Sequence, residues 1–247
     1  MSKRERADIL GCQVDLLTTQ GAVIAVKDLI AQGQPAQVIT LNAEMAFQAY
    51  SDPDLRGIIN AADLVTPDGI GIVWGGRQLG NAIPERVTGI DLLQHLCRAA
   101  ISERWKIYLL GSAPGVAEQA AERLSTEYPG LQICGTHHGY FQEAELPGII
   151  QSIQAQAPQI LFVALGAPRQ EIWIKKHLAQ LGNMVCIGVG GSLDVIAGQK
   201  KRAPAWMMKI NLEWLYRLLA EPARWQRQMA LPQFLILILK HRRPRRP

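Results

Sequence analysis

Short apolar runs alternate with helical stretches between residues 36 and 191. The runs that predict strands are AQVITLN, ADLV, WKIYLLG, LQICGT, PQILFVALG and NMVCIGVGG. They show too little alternation of apolar and polar positions to leave one face in water. Strands that are buried on both faces are typical of parallel sheets.

The segments between these runs have helical periodicity. Examples are PGVAEQAAERLSTEY and PRQEIWIKKHLAQL, in which apolar residues recur at spacings of three and four. Strands that alternate with helices form βαβ units. The sequence therefore predicts an α/β fold with a Rossmann-like, mainly parallel sheet covered by helices on both faces.

The pattern changes near Gly198, which divides an α/β catalytic body (1–197) from a basic, Trp/Arg-rich helical appendage (198–247). Two helices are predicted in the appendage, NLEWLYRLLAE and PARWQRQMALPQFLILILK. Pro222 is well placed to open the second helix, which Pro232 should kink or divide.

Composition narrows the class of protein. The 247 residues are 48% hydrophobic, enough for one sizeable domain. The four cysteines include no C-x-x-C pair, which argues against a zinc site or a disulfide framework and favours reduced, buried thiols. The N-terminus MSKRERADILG lacks a signal sequence, and no uncharged run approaches the roughly 20 residues of a spanning helix. A cytoplasmic protein is expected.

Charge is unevenly distributed. Residues 200–247 contain 12 Lys/Arg and two acids, whereas the preceding chain contains 14 Lys/Arg and 19 acids. This asymmetry indicates an anionic partner for the appendage: membrane lipid, nucleic acid or a substrate phosphate.

Candidate chemistry lies just after the strands, where open parallel sheets bind ligands. Thr40 and Asn42 follow the first of these strands and could hold sugar hydroxyls or an amide, although Asn42 is equally suited to cap a helix. Asp68 follows ADLV and opens a glycine-rich turn. An Asp-Gly pair is often only a turn, but its position at a strand end favours catalysis.

Glycine-rich turns follow three other strands. Gly111, Gly166, Gly190 and Gly191 are candidates for nucleotide-binding loops, since glycine lets backbone N–H groups approach a diphosphate. Tight βα turns need the same residues for structural reasons. Arg169 and Gln170 follow one of these turns. A turn requires neither residue, so both are harder to explain by structure alone. The last turn does not match G-x-G-x-x-G, which counts against NAD.

Two other motifs carry less weight. Asp52-Pro53-Asp54 has the D-x-D form of metal-dependent transferases but lies between two helices, where capping is favoured. For His137-His138, which lacks a third ligand nearby, hydrogen bonding is favoured over metal binding.

Several composite motifs in order along the chain resemble the WecG/TagA/CpsF family of glycosyltransferases. They are TLNAE, TPDGIGIVW, ERVTGIDLL, YPGLQICGTHHGYF, FVALGAPRQEIWI, GVGGSLDVIAGQKKRAPAWM and LEWLYRLLAEPARWQR. The resemblance implies an inverting transfer without metal or cofactor in the synthesis of a cell-surface polysaccharide. The implied acceptor is N-acetylglucosamine on a polyprenyl diphosphate, and the implied donor is UDP-N-acetylmannosamine or a related UDP-sugar.

The resemblance also implies roles for individual residues. Asp68 is the expected general base, and Arg86 is expected to meet the acceptor's diphosphate. The remaining expected substrate-binding residues are Thr40, Asn42, Gln170, Arg217, Arg224 and Arg227, of which the last three would close over the site from the appendage.

The far C-terminus, FLILILKHRRPRRP, matches no defined motif of the family. It is too short to span a bilayer but suits contact with an anionic membrane surface, which predicts peripheral attachment to the inner face of the cell membrane. The alternative is a core-packing helix with a solubilising basic tail.

Three rival functions remain at this stage. They are an NAD(P)-type Rossmann oxidoreductase, a basic nucleic-acid-binding protein and an inert membrane scaffold. The transferase reading expects no nucleic acid as a partner and is compatible with a homo-oligomer. The donor sugar, the lipid length and the polymer are left open by the sequence.

Overall fold

The predicted apolar runs form one six-stranded parallel sheet in the computed structural model, which describes residues 4–209, 212–220, 225 and 229–242. With strands numbered along the chain, the order across the sheet is β4-β3-β8-β7-β5-β6. Every neighbouring pair is parallel. The predicted α/β class and mainly parallel sheet are confirmed.

The strands of this sheet are β3 (Ala36–Leu41), β4 (Leu64–Pro67), β5 (Lys106–Gly111), β6 (Gln132–His137), β7 (Ile160–Ala164) and β8 (Val185–Gly188). An antiparallel hairpin, β1 (Arg6–Ile9) and β2 (Cys12–Asp15), precedes it. The helices are α1 (Thr19–Gln32), α2 (Ala43–Ser51), α3 (Pro53–Asn60), α4 (Ile70–Gln78), α5 (Gly89–Glu103), α6 (Val116–Glu127), α7 (Leu146–Gln156), α8 (Arg169–Leu181), α9 (Ser192–Ile196), α10 (Ala205–Lys209), α11 (Glu213–Ala220) and α12 (Ala230–His241).

Helices cover both faces of the sheet because successive strand side chains point to opposite sides. Val38 belongs to the cluster formed with α1, α5, α6 and α9. Its neighbour Ile39 belongs to a cluster on the other face with α2, α3, α4 and α12. Further along that face, α7 and α8 pack on β5, β7 and β8. The cysteines are free, and all but the half-buried Cys134 are buried, as expected.

The β1–β2 hairpin was not predicted. Its turn places Leu10 and Gly11 at positive φ of 55° and 88°, the combination that a two-residue hairpin turn favours. The fully buried Asp15 joins the hairpin to the sheet, since its Oδ2 accepts the N–H of Val65 in β4 at 2.8 Å. Its Oδ1 accepts from Arg6 at 3.1 Å, which compensates the buried charge.

The last helix, α12, packs against the body. Phe234 and Ile238 are fully buried, and a side-chain carbon at Gly75 of α4 would lie 3.1 Å and 3.2 Å from them. Pro232 lies in the first turn of α12, where a missing N–H breaks no helical hydrogen bond. Pro222 lies outside the described residues. Nowhere in the described ranges is a helix both long and apolar enough to cross a bilayer.

Candidate active site

The carboxyl ends of the six parallel strands lie at one edge of the sheet, and the predicted site residues follow these ends. The central strands here are β3, β8 and β7. The N-terminus of α5 also reaches this edge. A side-chain carbon at Gly89 would lie 3.4 Å from Thr40 Oγ1 and 3.5 Å from the Cα atom of Val189. Residues more than 140 positions apart therefore converge around one point.

Asp68 is held at this point by backbone contacts. Its N–H donates to Leu41 O at 2.8 Å, which fixes the β4 end beside the β3 end. The following Gly69 has a φ of +90°, a conformation that favours glycine. On the other side, the N–H of Gly89 points at Asp68 Oδ2 over 3.4 Å. The half-buried carboxylate thus faces the first turn of α5, whose free N–H groups favour negative charge.

Arg86 lies just before α5 and is paired with the appendage. Its Nη1 is 3.5 Å from Glu213 Oε2 in α11. Glu213, which is 7% exposed, also lies 4.0 Å from Arg202, and Arg202 forms a 2.7 Å ion pair with Asp91 of α5. The guanidinium of Arg86, which the sequence assigns to the acceptor's diphosphate, is therefore paired with the carboxylate of Glu213 in this structure.

Thr40 and Asn42 both have backbone partners in the structure. Thr40 is buried and donates from Oγ1 to Gly188 O at 3.1 Å, which ties β3 to β8. Asn42 caps α2, with Oδ1 accepting the N–H of Met45 at 2.9 Å. The capping interpretation of Asn42 is confirmed, and its contact with a sugar stays a prediction.

Gln170 is almost completely buried, at 2% exposure, beneath the turn that follows β8. Its Oε1 accepts the N–H of Gly190 at 2.9 Å, and its Nε2 donates to Glu171 Oε1 at 2.7 Å. Burial raises the pKa of Glu171 from 4.5 to about 7. The sequence identified Gln170 but not its buried neighbour.

The glycines of the predicted nucleotide-binding loops differ in how much space a side chain would have at each position. Gly111 has a φ of +134°, and a side-chain carbon there would lie 2.4 Å from Ala164 O, so the fold itself requires glycine. Gly166 and Gly190 also have positive φ but face open space. For Gly191, the nearest atom to such a carbon would be Asp194 Oδ2 at 3.8 Å.

Asp194 was not singled out by the sequence analysis but lies between two of the predicted loops. Its Oδ2 accepts from Ser112 Oγ at 3.1 Å, which joins the turns after β5 and β8. Ser112 has a φ of 58°, a left-handed conformation that is uncommon for a residue other than glycine. The only signal in the sequence was that both residues follow predicted strands.

Arg224 and Arg227 lie outside the described residues, as does the side chain of Arg217, whose backbone belongs to α11. Their predicted closure over the site therefore stays a prediction. The described contact between α11 and this part of the body is made by Glu213.

The D-x-D motif and the histidine pair have structural partners. Asp52 caps α3, its Oδ1 accepting the N–H groups of Asp54 and Leu55 at 3.0 Å each, so the capping interpretation is confirmed. His137 Nδ1 lies 2.8 Å from His138 O. No group of three potential metal-ligating residues occurs within the part of the chain that the structure describes.

A cavity of about 440 Å³ opens beside the turn at Pro168, and its lining does not include Asp68, Thr40 or Gln170. Its walls are mainly apolar, with Phe141, Ile172 and Trp173 among them. The carboxylate in its lining, Glu143, is 86% exposed and lies 3.4 Å from Lys176. The edge around Asp68, where a half-buried carboxylate faces a helix N-terminus, is the candidate active site.

Comparisons with known proteins identify the family of the chain. The model of the glycosyl transferase WecG/TagA/CpsF family matches residues 7–247. Three similar proteins are each named N-acetylglucosaminyldiphosphoundecaprenol N-acetyl-beta-D-mannosaminyltransferase. One from Bacillus subtilis is 37% identical, covering 87% of this chain and 83% of its own. One from Bacillus spizizenii is 36% identical, covering 86% and 82%. One from Staphylococcus aureus is 34% identical, covering 98% and 95%. The match spans both body and appendage, and the chain therefore belongs to the WecG/TagA/CpsF family of glycosyltransferases.

Proposed function

We propose that this protein transfers N-acetylmannosamine from UDP-N-acetylmannosamine to N-acetylglucosamine on a polyprenyl diphosphate, with inversion at the anomeric carbon. The names of the relatives support the transferred sugar and the acceptor. The observation that carries the proposal is the position of Asp68, a half-buried carboxylate at the carboxyl end of β4, held between Leu41 and the N-terminus of α5.

The chemistry needs one base. Asp68 removes the proton of the acceptor hydroxyl as that oxygen attacks the anomeric carbon. The bond between the anomeric carbon and the UDP oxygen breaks, and UDP leaves with the electron pair. Attack from the face opposite UDP inverts the configuration, so a second carboxylate is not required.

The departing diphosphate needs its charge stabilised. The turns at Gly166 and Gly190 border open space, so a diphosphate can approach their backbone closely, although the Gly190 N–H itself already donates to Gln170. Arg86 supplies a positive charge just before α5, and the acceptor's diphosphate would replace Glu213 as its partner. Arg217, Arg224 and Arg227 are proposed to add further charge as the appendage closes.

The appendage supports peripheral attachment at the inner face of the membrane. One side of α12 packs on the body through Phe234 and Ile238. The other side leaves Leu235, Ile236 and Leu239 at 41%, 53% and 52% exposure, next to the exposed Lys240. An exposed apolar strip beside basic residues suits an interface with anionic lipid.

The experiment measures UDP release from a panel of UDP-sugars, with and without a short-chain lipid bearing GlcNAc-diphosphate, and with and without EDTA. We expect release that depends on the acceptor, resists EDTA and is fastest with UDP-N-acetylmannosamine.

Asp68→Asn should reduce kcat by about 100- to 10,000-fold because it removes the base and keeps the side-chain shape. A matched control is Asp52→Asn, which alters a helix cap remote in role from the reaction. A soluble, folded wild type that releases no UDP with any donor would overturn the proposal, as would an Asp68→Asn variant with wild-type kcat.

A further inference from the structure

The carboxyl group of Glu171 is buried beneath the predicted site without a charge partner among the described residues. Glu171 is 0% exposed, and its Oε2 has no hydrogen-bond partner within the described part of the chain. Desolvation of a carboxylate is costly and is usually offset by several hydrogen bonds. An acid in this position therefore calls for an explanation other than stability.

The one side-chain hydrogen bond of Glu171 is made to Gln170. Glu171 Oε1 accepts from the NH₂ end of the Gln170 amide, as the carbonyl oxygen of a neutral acid can do as well as a carboxylate. The opposite end of that amide, Oε1, is thereby directed at the N–H of Gly190. The acid thus favours one of the two amide orientations of Gln170, the one in which Oε1 also accepts from Gly190.

The fold leaves room for this arrangement. A side-chain carbon at Gly188 would lie 2.5 Å from Gln170 Nε2 and 2.8 Å from Glu171 Oε1. Glycine after β8 therefore leaves the space that the pair needs. The hydrogen bond from Gln37 Nε2 goes to the backbone carbonyl of Glu171, at 2.9 Å, and not to the paired side-chain groups.

We propose that Glu171 is a positioning residue for the glycosyl transfer: it orients the Gln170 amide, which in turn holds Gly190 in the conformation that receives the diphosphate of the sugar nucleotide. The inference rests on the proposed function. Glu171 itself needs no contact with the substrate.

The test compares Glu171→Met with Glu171→Gln. Methionine has a similar length but no strong acceptor, so the Gln170 amide loses its orientation. We expect the KM for the UDP-sugar to rise about tenfold with kcat within about twofold, the pattern of lost binding. Glutamine can still accept from Gln170 through its own Oε1, and it should restore KM to within about threefold of wild type.

Gln37→Met is the matched control. It removes a hydrogen bond from the same buried cluster but leaves the Gln170 amide untouched, so KM for the donor should not change. Amide hydrogen exchange of the peptide containing Gly190 gives a readout that does not depend on activity. It should accelerate in Glu171→Met and stay as in wild type in Gln37→Met.

Wild-type KM and wild-type exchange at Gly190 in Glu171→Met would overturn the inference. An equal rise in KM and an equally faster exchange at Gly190 in Glu171→Met, Glu171→Gln and Gln37→Met would also overturn it, because that pattern would indicate general loosening of the core. If Glu171→Met is insoluble, Glu171→Asp, which withdraws the carboxylate by one methylene, should give the same rise in KM and the same faster exchange. A wild type that turns over no UDP-sugar would instead count against the proposed function.

Discussion

The body and the appendage are held in place by different kinds of contact. At the sheet edge, Asp68, Thr40 and Gln170 each have backbone partners supplied by strands or strand ends. The appendage is joined to this region by the ion pairs Arg86–Glu213 and Arg202–Asp91, and to the rest of the body by an apolar stripe on α12. The candidate site residues are thus held by backbone contacts of the sheet, whereas the appendage reaches them through ion pairs, which an anionic ligand could exchange.

The largest expected effect concerns the apolar stripe. Phe234→Ala should destabilise the packing of α12 on the body by about 3–5 kcal/mol, because it leaves a cavity at a fully buried position against α2 and α4. Limited trypsin digestion should then cleave at Lys240 much faster than in wild type. Leu235→Ala, at an exposed position of the same helix, is the control and should leave the cleavage rate unchanged. Equal rates for the two variants would show that α12 is not held by this stripe.

A smaller effect is expected in the body, at Glu171. Its folded-state pKa of about 7 lies above the ordinary 4.5, so folding favours the protonated acid. Stability from this group is complete below pH 4.5 and is lost as the pH rises through 7, by about 3 kcal/mol in total. Urea unfolding at several pH values should show this loss in wild type and not in Glu171→Gln. Parallel pH curves for the two proteins would contradict the raised pKa.

The smallest effect concerns the outer side of α12. Ile236→Ser should weaken binding to vesicles containing anionic lipid about fivefold, on the order of 1 kcal/mol, because the side chain is only half exposed to begin with. Ile24 in α1 has nearly the same exposure, 51%, and Ile24→Ser is the matched control. Vesicle co-sedimentation measures both. If the two substitutions act alike, α12 has no special role at the lipid surface.

The sequence predicted the parts of the fold that depend on local pattern. Each apolar run became a strand, and Asp68 lies at a strand end as its glycine-rich turn suggested. The short hairpin was missed because four-residue strands carry little periodic signal.

Glu171 was missed for a different reason. On an isolated helix, a residue in the first turn of α8 would be read as a solvated acid that favours the helix N-terminus. In the fold it lies against Gln37 and Gly188, which are distant in the chain. Such a group becomes visible only once non-local packing is known. The same holds for Arg86, whose pairing with Glu213 bridges body and appendage.

Asp15 has a further consequence for how copies of this protein meet. β4 forms an outer edge of the sheet, and an exposed edge is a template on which a strand from another molecule can add. At Val65 the carboxylate of Asp15 already takes the N–H, and a carboxylate offers no donor with which a ladder could continue. The N-terminal hairpin therefore leaves no free N–H at Val65 to which an added strand could bond.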